Sequence, residues 1–154
     1  RPLRPSDRDA VQHILHSTGN FTATEIDTAL ELVDAWLATG AASGYHCAVA
    51  EDDHDATIGY ACWGPTPLTD GTYDLYWIAV ERAAHGTGFG RALIQAVERE
   101  IRAAAGRLIL IETSSQESYG ATIHFYERAG YALVARIPDF YRPGDDKLVF
   151  AKSL

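Results

Sequence analysis

The chain has 154 residues, enough for one domain with a proper core and too few for two comfortable ones. It is 47% hydrophobic and 22% charged, an ordinary globular mixture, and no run approaches the roughly eighteen apolar residues of a membrane helix. Thirteen Lys and Arg against 21 Asp and Glu leave a net charge of −8, which argues against nucleic acid or anionic membranes as partners and weakly favours a cationic substrate.

In chain order, Ser6-x-x-Asp9 reads as a helix start with Val11, Ile14 and Leu15 on one face. The opening Arg1-Pro2-Leu3-Arg4-Pro5 before it has no apolar run of the export type, so a cytoplasmic protein is expected. Thr22-x-x-Glu25 is a second helix start, and Ile26, Leu30, Val33 and Leu37 recur at helical spacing until Gly40. Tyr45–Glu51 and Ile58–Trp63 are short apolar segments around Asp52-Asp53-His54-Asp55, which predicts a hairpin. Cys47 and Cys62 fall on its two strands at positions that could face each other. They form no CxxC pair, so two buried reduced thiols are expected, and no metal site.

Gly64-Pro65-Thr66-Pro67 and Asp70-Gly71 interrupt the chain, and Tyr73–Val80 adds a third antiparallel strand rich in aromatic and β-branched residues. A helix from about Gly90 to Ala105 buries Leu93, Ile94, Val97 and Ile101 and carries Glu98 and Arg102 as an external i,i+4 ion pair. Leu108–Glu112 is apolar enough for a strand covered on both faces, and with the strand and helix before it makes a parallel βαβ unit. A shorter helix, about Ala121–Ala129, ends at Gly130. Tyr131–Ile137 and Lys147–Lys152 then pair across Pro143-Gly144-Asp145-Asp146. The expected fold is α+β, a single domain over 1–154 with a mixed, mostly antiparallel sheet, a central βαβ unit and flanking helices.

Three glycines alternate in Gly86-Thr87-Gly88-Phe89-Gly90, between a strand and a helix. Glycine there permits positive φ and lets backbone N–H groups approach an anion, while the helix start adds unpaired N–H groups and a positive dipole end. A phosphate or pyrophosphate is the natural ligand, with Arg91 as counter-charge. A nucleoside triphosphate would want Gly-Lys-Ser/Thr at the end of the loop, where Gly90 is followed by Arg91-Ala92. A dinucleotide would want a sixth-position glycine where Arg91 stands, although Glu112 ends the next strand at a distance suited to a ribose.

With Ile78-Ala79-Val80 before the turn, His85-Gly86-Thr87-Gly88-Phe89-Gly90-Arg91-Ala92-Leu93 across it and Phe125-Tyr126-Glu127-Arg128-Ala129-Gly130-Tyr131 downstream, the sequence resembles the GNAT superfamily of N-acetyltransferases. Within it, the sequence resembles the branch that acetylates ribosomal-protein alanine N-termini. The resemblance covers nearly the whole chain. It implies acetyl-CoA as co-substrate, with its pyrophosphate on the turn and its pantetheine arm between two splayed strands. Ile78, Ala79 and Val80 would pair with the arm like an added strand. Two positions depart from the family pattern: His85 stands where relatives carry Arg or Gln, and Tyr119 where many carry Asn. Tyr119 either stacks on the cofactor or is plain packing.

Acyl transfer to an amine needs a base for the ammonium, polarisation of the carbonyl and an acid for the leaving thiolate. No Ser/His/Asp or Cys/His set for a covalent intermediate is evident, so direct attack in a ternary complex is expected. The resemblance makes Tyr126 the acid. Glu112, at the end of an apolar strand and so partly desolvated, is the candidate base, with Asp74 as rival through a water. His124 reads as a surface residue. The acceptor site is expected from the early helices, the loop after Trp63 and the final hairpin, with Trp63, Tyr76, Phe140 and Tyr141 as an aromatic wall and Asp139, Asp145 and Asp146 attracting an ammonium. The acceptor is expected to be a small-molecule amine. A protein N-terminus or lysine, and a non-catalytic acyl-CoA-binding module, are the alternatives, and a homodimer is compatible with any of them.

Overall fold

The computed structural model describes residues 1–154. The chain opens with a 3-10 turn, Pro5–Asp7, whose proline occupies a position that needs no N–H donor. Asp7 Oδ2 accepts from Arg4 N at 2.8 Å and closes this turn; Asp7, not Ser6, then stands at the N-cap position of the first helix, α1 (Arg8–Ser17), without a side-chain cap bond to it. Asp7 is buried and receives two bonds from the Arg1 guanidinium at 2.7 and 3.0 Å, which hold its carboxyl down at about 2. The second helix, α2 (Ala23–Thr39), starts with the expected reciprocal cap. Thr22 Oγ1 accepts from Glu25 N at 3.2 Å, and Glu25 Oε2 accepts from Thr22 N at 2.7 Å.

Six strands follow: β1 (His46–Glu51), β2 (Thr57–Pro65), β3 (Thr72–Val80), β4 (Leu108–Ser114), β5 (Ala132–Arg142) and β6 (Asp145–Ser153). They form one sheet in the order β1-β2-β3-β4-β6-β5. All neighbours are antiparallel except β3 and β4, which are joined by the helix α3 (Phe89–Ala103), the kind of crossover a parallel pair requires. A fourth helix, α4 (Gly120–Arg128), links β4 to β5.

Alternation along the strands splits the core between the two faces of the sheet. Tyr60 and Cys62 of β2 join α1 and α2 in one cluster, while Ala61 and Trp63 join α3, Ile109, Ile111, Tyr126 and Phe150 in the other. Cys47 and Cys62 stand directly opposite each other as free, buried thiols. Leu3 N donates to Cys47 O, so the polar groups of Cys47 turn away from β2 and the two residues form the closer, non-hydrogen-bonded kind of pair. Contact with Cys47 and burial push the Cys62 thiol up.

Two expectations are corrected. Glu98 is buried at 4% exposure and accepts from Lys152 Nζ at 2.8 Å and from the Tyr131 hydroxyl at 3.2 Å, so no external pair with Arg102 forms. A carboxylate is tolerated beside Val97 because both partners reach it, Lys152 from β6 and Tyr131 from the short link between α4 and β5. The last hairpin is also longer and tighter than its sequence reads. Asp139 at φ +53° lies in an irregularity between Ile137 and Arg142, after which pairing resumes, and the turn shrinks to Pro143-Gly144. No helix is long and apolar enough to cross a membrane.

Candidate active site

β3 and β4 pair through three residues only, Thr72, Tyr73 and Asp74 opposite Leu108, Ile109 and Leu110. Beyond them β3 stays with β2 and β4 with β6, and a cleft opens between them. Glu81 N donates to Ile58 O at 2.8 Å, so alternation turns the N–H and C=O groups of Val80, and of Ile78 two residues earlier, away from β2 and into this cleft. The Val80 carbonyl already accepts from His85 Nε2 at 2.8 Å, and since a carbonyl can only accept, that ring nitrogen carries the proton. His85 thus folds back on the strand end.

In the glycine turn, Gly86 and Gly88 have φ of +78° and +94°, a backbone shape that glycine adopts without strain. Gly90 differs from these two: its φ is not positive, and a Cβ there would meet Phe125 Cε2 at 3.4 Å and Val80 Cγ2 at 3.8 Å, ordinary contact distances, so the position packs α3 beside α4 and the end of β3 without requiring glycine. Gly88 caps α3 with no side-chain acceptor, leaving the N–H groups of the first turn open to the cleft, with Arg91 beside them. Thr87 and Phe89 do not line the cleft; the Thr87 hydroxyl donates to Ala84 O and so braces the turn.

The cleft consists of two cavities of about 700 and 840 Å³. Gly86, Gly88, Gly90 and Arg91 line the first, while Glu25, Asp74, Tyr76, Glu112, Tyr119 and Tyr141 line the second. Ile78, Ala79, Val80, His85 and Tyr126 border both, so the two are continuous. The Tyr126 ring packs against Phe125, Tyr131 and Phe150 and is 6% exposed. Burial pushes its hydroxyl above the ordinary phenol range, so it remains protonated at neutral pH.

Glu112 departs from the desolvated carboxylate its strand predicts. Ile109 and Ile111 take the core face of β4, which turns Leu110, Glu112 and Ser114 toward the cleft. The Glu112 side chain is 52% exposed, and its Oε2 lies 2.5 Å from Lys147 Nζ. Asp74 sits at the last β3–β4 pair and accepts from Thr66 Oγ1 at 2.7 Å. The Tyr119 hydroxyl donates to Asn20 O at 3.1 Å, stitching the approach to α4 onto the α1–α2 connection; burial holds that hydroxyl up at about 12.

The expected aromatic wall is half present. Tyr76 and Tyr141 line the cleft, whereas Trp63 is buried and stacked on His46, and Phe140 lies outside the lining, edge-on to Tyr141. Of the three aspartates, Asp145 lines the cleft and accepts from Ser114 Oγ. Asp139 and Asp146 instead hold the hairpin together: Asp139 N donates to Asp146 Oδ1 and Gly144 N donates to Asp139 Oδ1. His124 is exposed and bonded to Glu127, a surface residue as its sequence context predicts. Glu25, Asn20 and Arg142 also border the cleft. Glu25 was legible only as a cap, and Arg142 fell between the predicted strand and its turn.

Residues 43–133, from just before β1 to the start of β5, match the model of the acetyltransferase (GNAT) domain. The chain belongs to the GNAT family of acetyltransferases. This acetyltransferase is 30% identical over 127 residues to the L-methionine sulfoximine/L-methionine sulfone acetyltransferase of Pseudomonas aeruginosa, spanning 79% of this chain and 72% of that one. It matches the crystal structure of a GNAT-family protein from Desulfovibrio desulfuricans with a TM-score of 0.94 at 48% identity, over 99% of this chain and 95% of the other. An acetyltransferase from Salmonella typhimurium, solved with its cofactor acetyl-CoA, shares the fold at a TM-score of 0.76 and 22% identity, over 100% and 92% of the chains.

Proposed function

We propose that this acetyltransferase moves an acetyl group from acetyl-CoA to the primary amine of a small, amino-acid-like acceptor, by direct attack within a ternary complex. The observation that carries this reading is the continuity of the cleft, with the glycine turn at one end, carboxylates at the other and Tyr126 between them. The open N–H groups of α3 and Arg91 suit a pyrophosphate. The edges of Ile78 and Val80 suit the amides of an extended arm, as an added strand would.

Four carboxylates, Glu25, Asp74, Glu112 and Asp145, line the acceptor half, which favours an ammonium there. Arg142 is the one Arg or Lys that lines it, a counter-charge for a carboxylate on the same molecule. The substrates for which the Pseudomonas relative is named are α-amino acid derivatives and carry both charges. In this reading Glu112 takes the proton of the incoming ammonium, with Asp74 through a water as its competitor. The amine nitrogen then bonds to the carbonyl carbon and releases its second proton, the carbon–sulfur bond breaks with its electron pair on sulfur, and Tyr126 protonates the departing thiolate, its phenolate taking up the proton that the nitrogen released. The products are an N-acetyl amide and the free thiol.

Free thiol release from acetyl-CoA over amino acids, their α-carboxamides, simple amines and short peptides tests this. Free amino acids should be turned over, and their carboxamides roughly tenfold less efficiently or worse. Silence across the panel, or equal rates for acids and amides, would overturn it.

A further inference from the structure

Lys152, near the end of β6, ties three elements together. Its Nζ donates to Glu98 Oε1 of α3 at 2.8 Å and to the carbonyl oxygen of Ala129, just past α4, at 2.7 Å. It also lies 5.3 Å from the centre of the Tyr131 ring, whose hydroxyl donates to the same Glu98 oxygen at 3.2 Å. Both arms of this cluster run on to one backbone atom. Ala129 N and Tyr131 N donate to the carbonyl oxygen of Tyr126, at 3.1 and 3.0 Å.

The helix that carries Tyr126 needs such a hold. Of the nine residues of α4, Tyr126 alone is buried, so packing grips the helix chiefly through the side chain whose placement matters. Stability gives little reason for charge at this point, because a buried ion pair gains little over an apolar pair of the same volume. An apolar side chain at position 152 could not, however, bond a carbonyl at the close of a helix, where a cation is favoured.

We propose that Lys152 and Glu98 are positioning residues for acyl transfer, fixing the close of α4 and so the place of the Tyr126 hydroxyl in the cleft. This rests on the reading of Tyr126 as the acid, a role that requires the hydroxyl within hydrogen-bond reach of the sulfur. Neither Lys152 nor Glu98 lines either cavity. Their effect on the rate therefore passes through Tyr126.

The test changes the pair together, Glu98→Gln with Lys152→Met, since removing Lys152 alone would leave a buried carboxylate without its cation. With the fastest acceptor of the amine panel, kcat should fall about three- to tenfold while the KM for acetyl-CoA stays within about twofold. Placed on Tyr126→Phe, the same two substitutions should lower kcat by less than about twofold, because the positioned hydroxyl is already gone. An equal fall in both backgrounds overturns the proposal, since a loosened fold would act whatever stands at 126. So does an unchanged kcat in the paired variant when Tyr126→Phe itself is slow. If Tyr126→Phe is as fast as wild type, the acid role fails first, and the positioning role goes with it. Should the paired variant fail to fold, Glu98→Gln alone is measured in both backgrounds and its result decides.

Discussion

His85 Nε2 lies 2.8 Å from the carbonyl oxygen of Val80, so the glycine turn is tied back to the strand it leaves. His85→Ala removes that tie. The KM for acetyl-CoA should rise about three- to tenfold, the scale of one lost hydrogen bond, while kcat changes by less than about twofold. His85→Gln, which keeps a donor, should recover most of the loss. Steady-state kinetics with acetyl-CoA as the varied substrate reads the result, and an unaltered KM would mean that the turn holds its shape without the bond.

Tyr126→Phe should lower kcat by about tenfold or more if the hydroxyl protonates the departing thiolate. Burial alone dominates the upward push on that hydroxyl, with a smaller contribution from Tyr119, and no protein hydrogen bond contributes to it. Deleting it therefore breaks no internal contact, and the melting temperature should hold within about 2 °C. Because the shift is upward, the phenol keeps its proton beyond the ordinary value of 10, and Tyr126 adds no alkaline loss of rate below that pH. An unchanged kcat would remove Tyr126 from the chemistry.

The two candidate bases separate by mutation. Glu112→Gln should reduce kcat/KM by about a hundredfold or more, the usual scale for a general base, and Asp74→Asn by less. Lys147→Ala, which frees the Glu112 carboxylate from its 2.5 Å partner, should change the rate only severalfold. The reverse ranking of Glu112 and Asp74 would transfer the role to Asp74 at the mouth of the β3–β4 gap.

Asp7 links pH to stability. Its carboxyl is held at about 2 by Arg1 against an ordinary value of 3.8, so its contribution is complete above pH 3.8 and is lost as pH falls toward 2. A shift of that size corresponds to about 2 kcal/mol. Asp7→Asn should lower the unfolding free energy by about that amount or somewhat more at neutral pH, since it also leaves Arg1 less well paired. The gap between variant and wild type should narrow on acidification below pH 3.8. Denaturant titrations at several pH values measure this, and a constant gap would show that the Arg1–Asp7 pair is not its source.

Local chemistry decided how much could be read in advance. The cap at Thr22 and Glu25, the apolar face of α3 and the turn at Gly86 and Gly88 depend on neighbours within a few residues, so their sequence patterns carry them. Glu98 escaped because its partners, Tyr131 and Lys152, arrive from distant segments. Glu112 escaped for a related reason. An apolar run ending in a carboxylate reads as burial, but the strand's period of two turns that carboxylate outward, and Lys147 comes to it from the neighbouring β6. The hairpin was misjudged because Asp145 and Asp146 look like turn residues, whereas Ser114 and Arg136 engage them as the first residues of a strand.

The early parting of β3 and β4 gives the sheet two unsatisfied edges in its interior. Along β3 the amide protons therefore fall into two classes that alternate residue by residue. The amide of Ala79, opposite Tyr60, points toward β2 and should exchange slowly with solvent deuterium in the folded protein whether the cleft is filled or empty. Ile78 and Val80 face the gap, and their exchange rates depend on what lies in it. Two neighbouring amides on one strand thus form an internal control and a reporter, so deuterium uptake over this short stretch would register filling of the cleft without a label, a mutation or turnover.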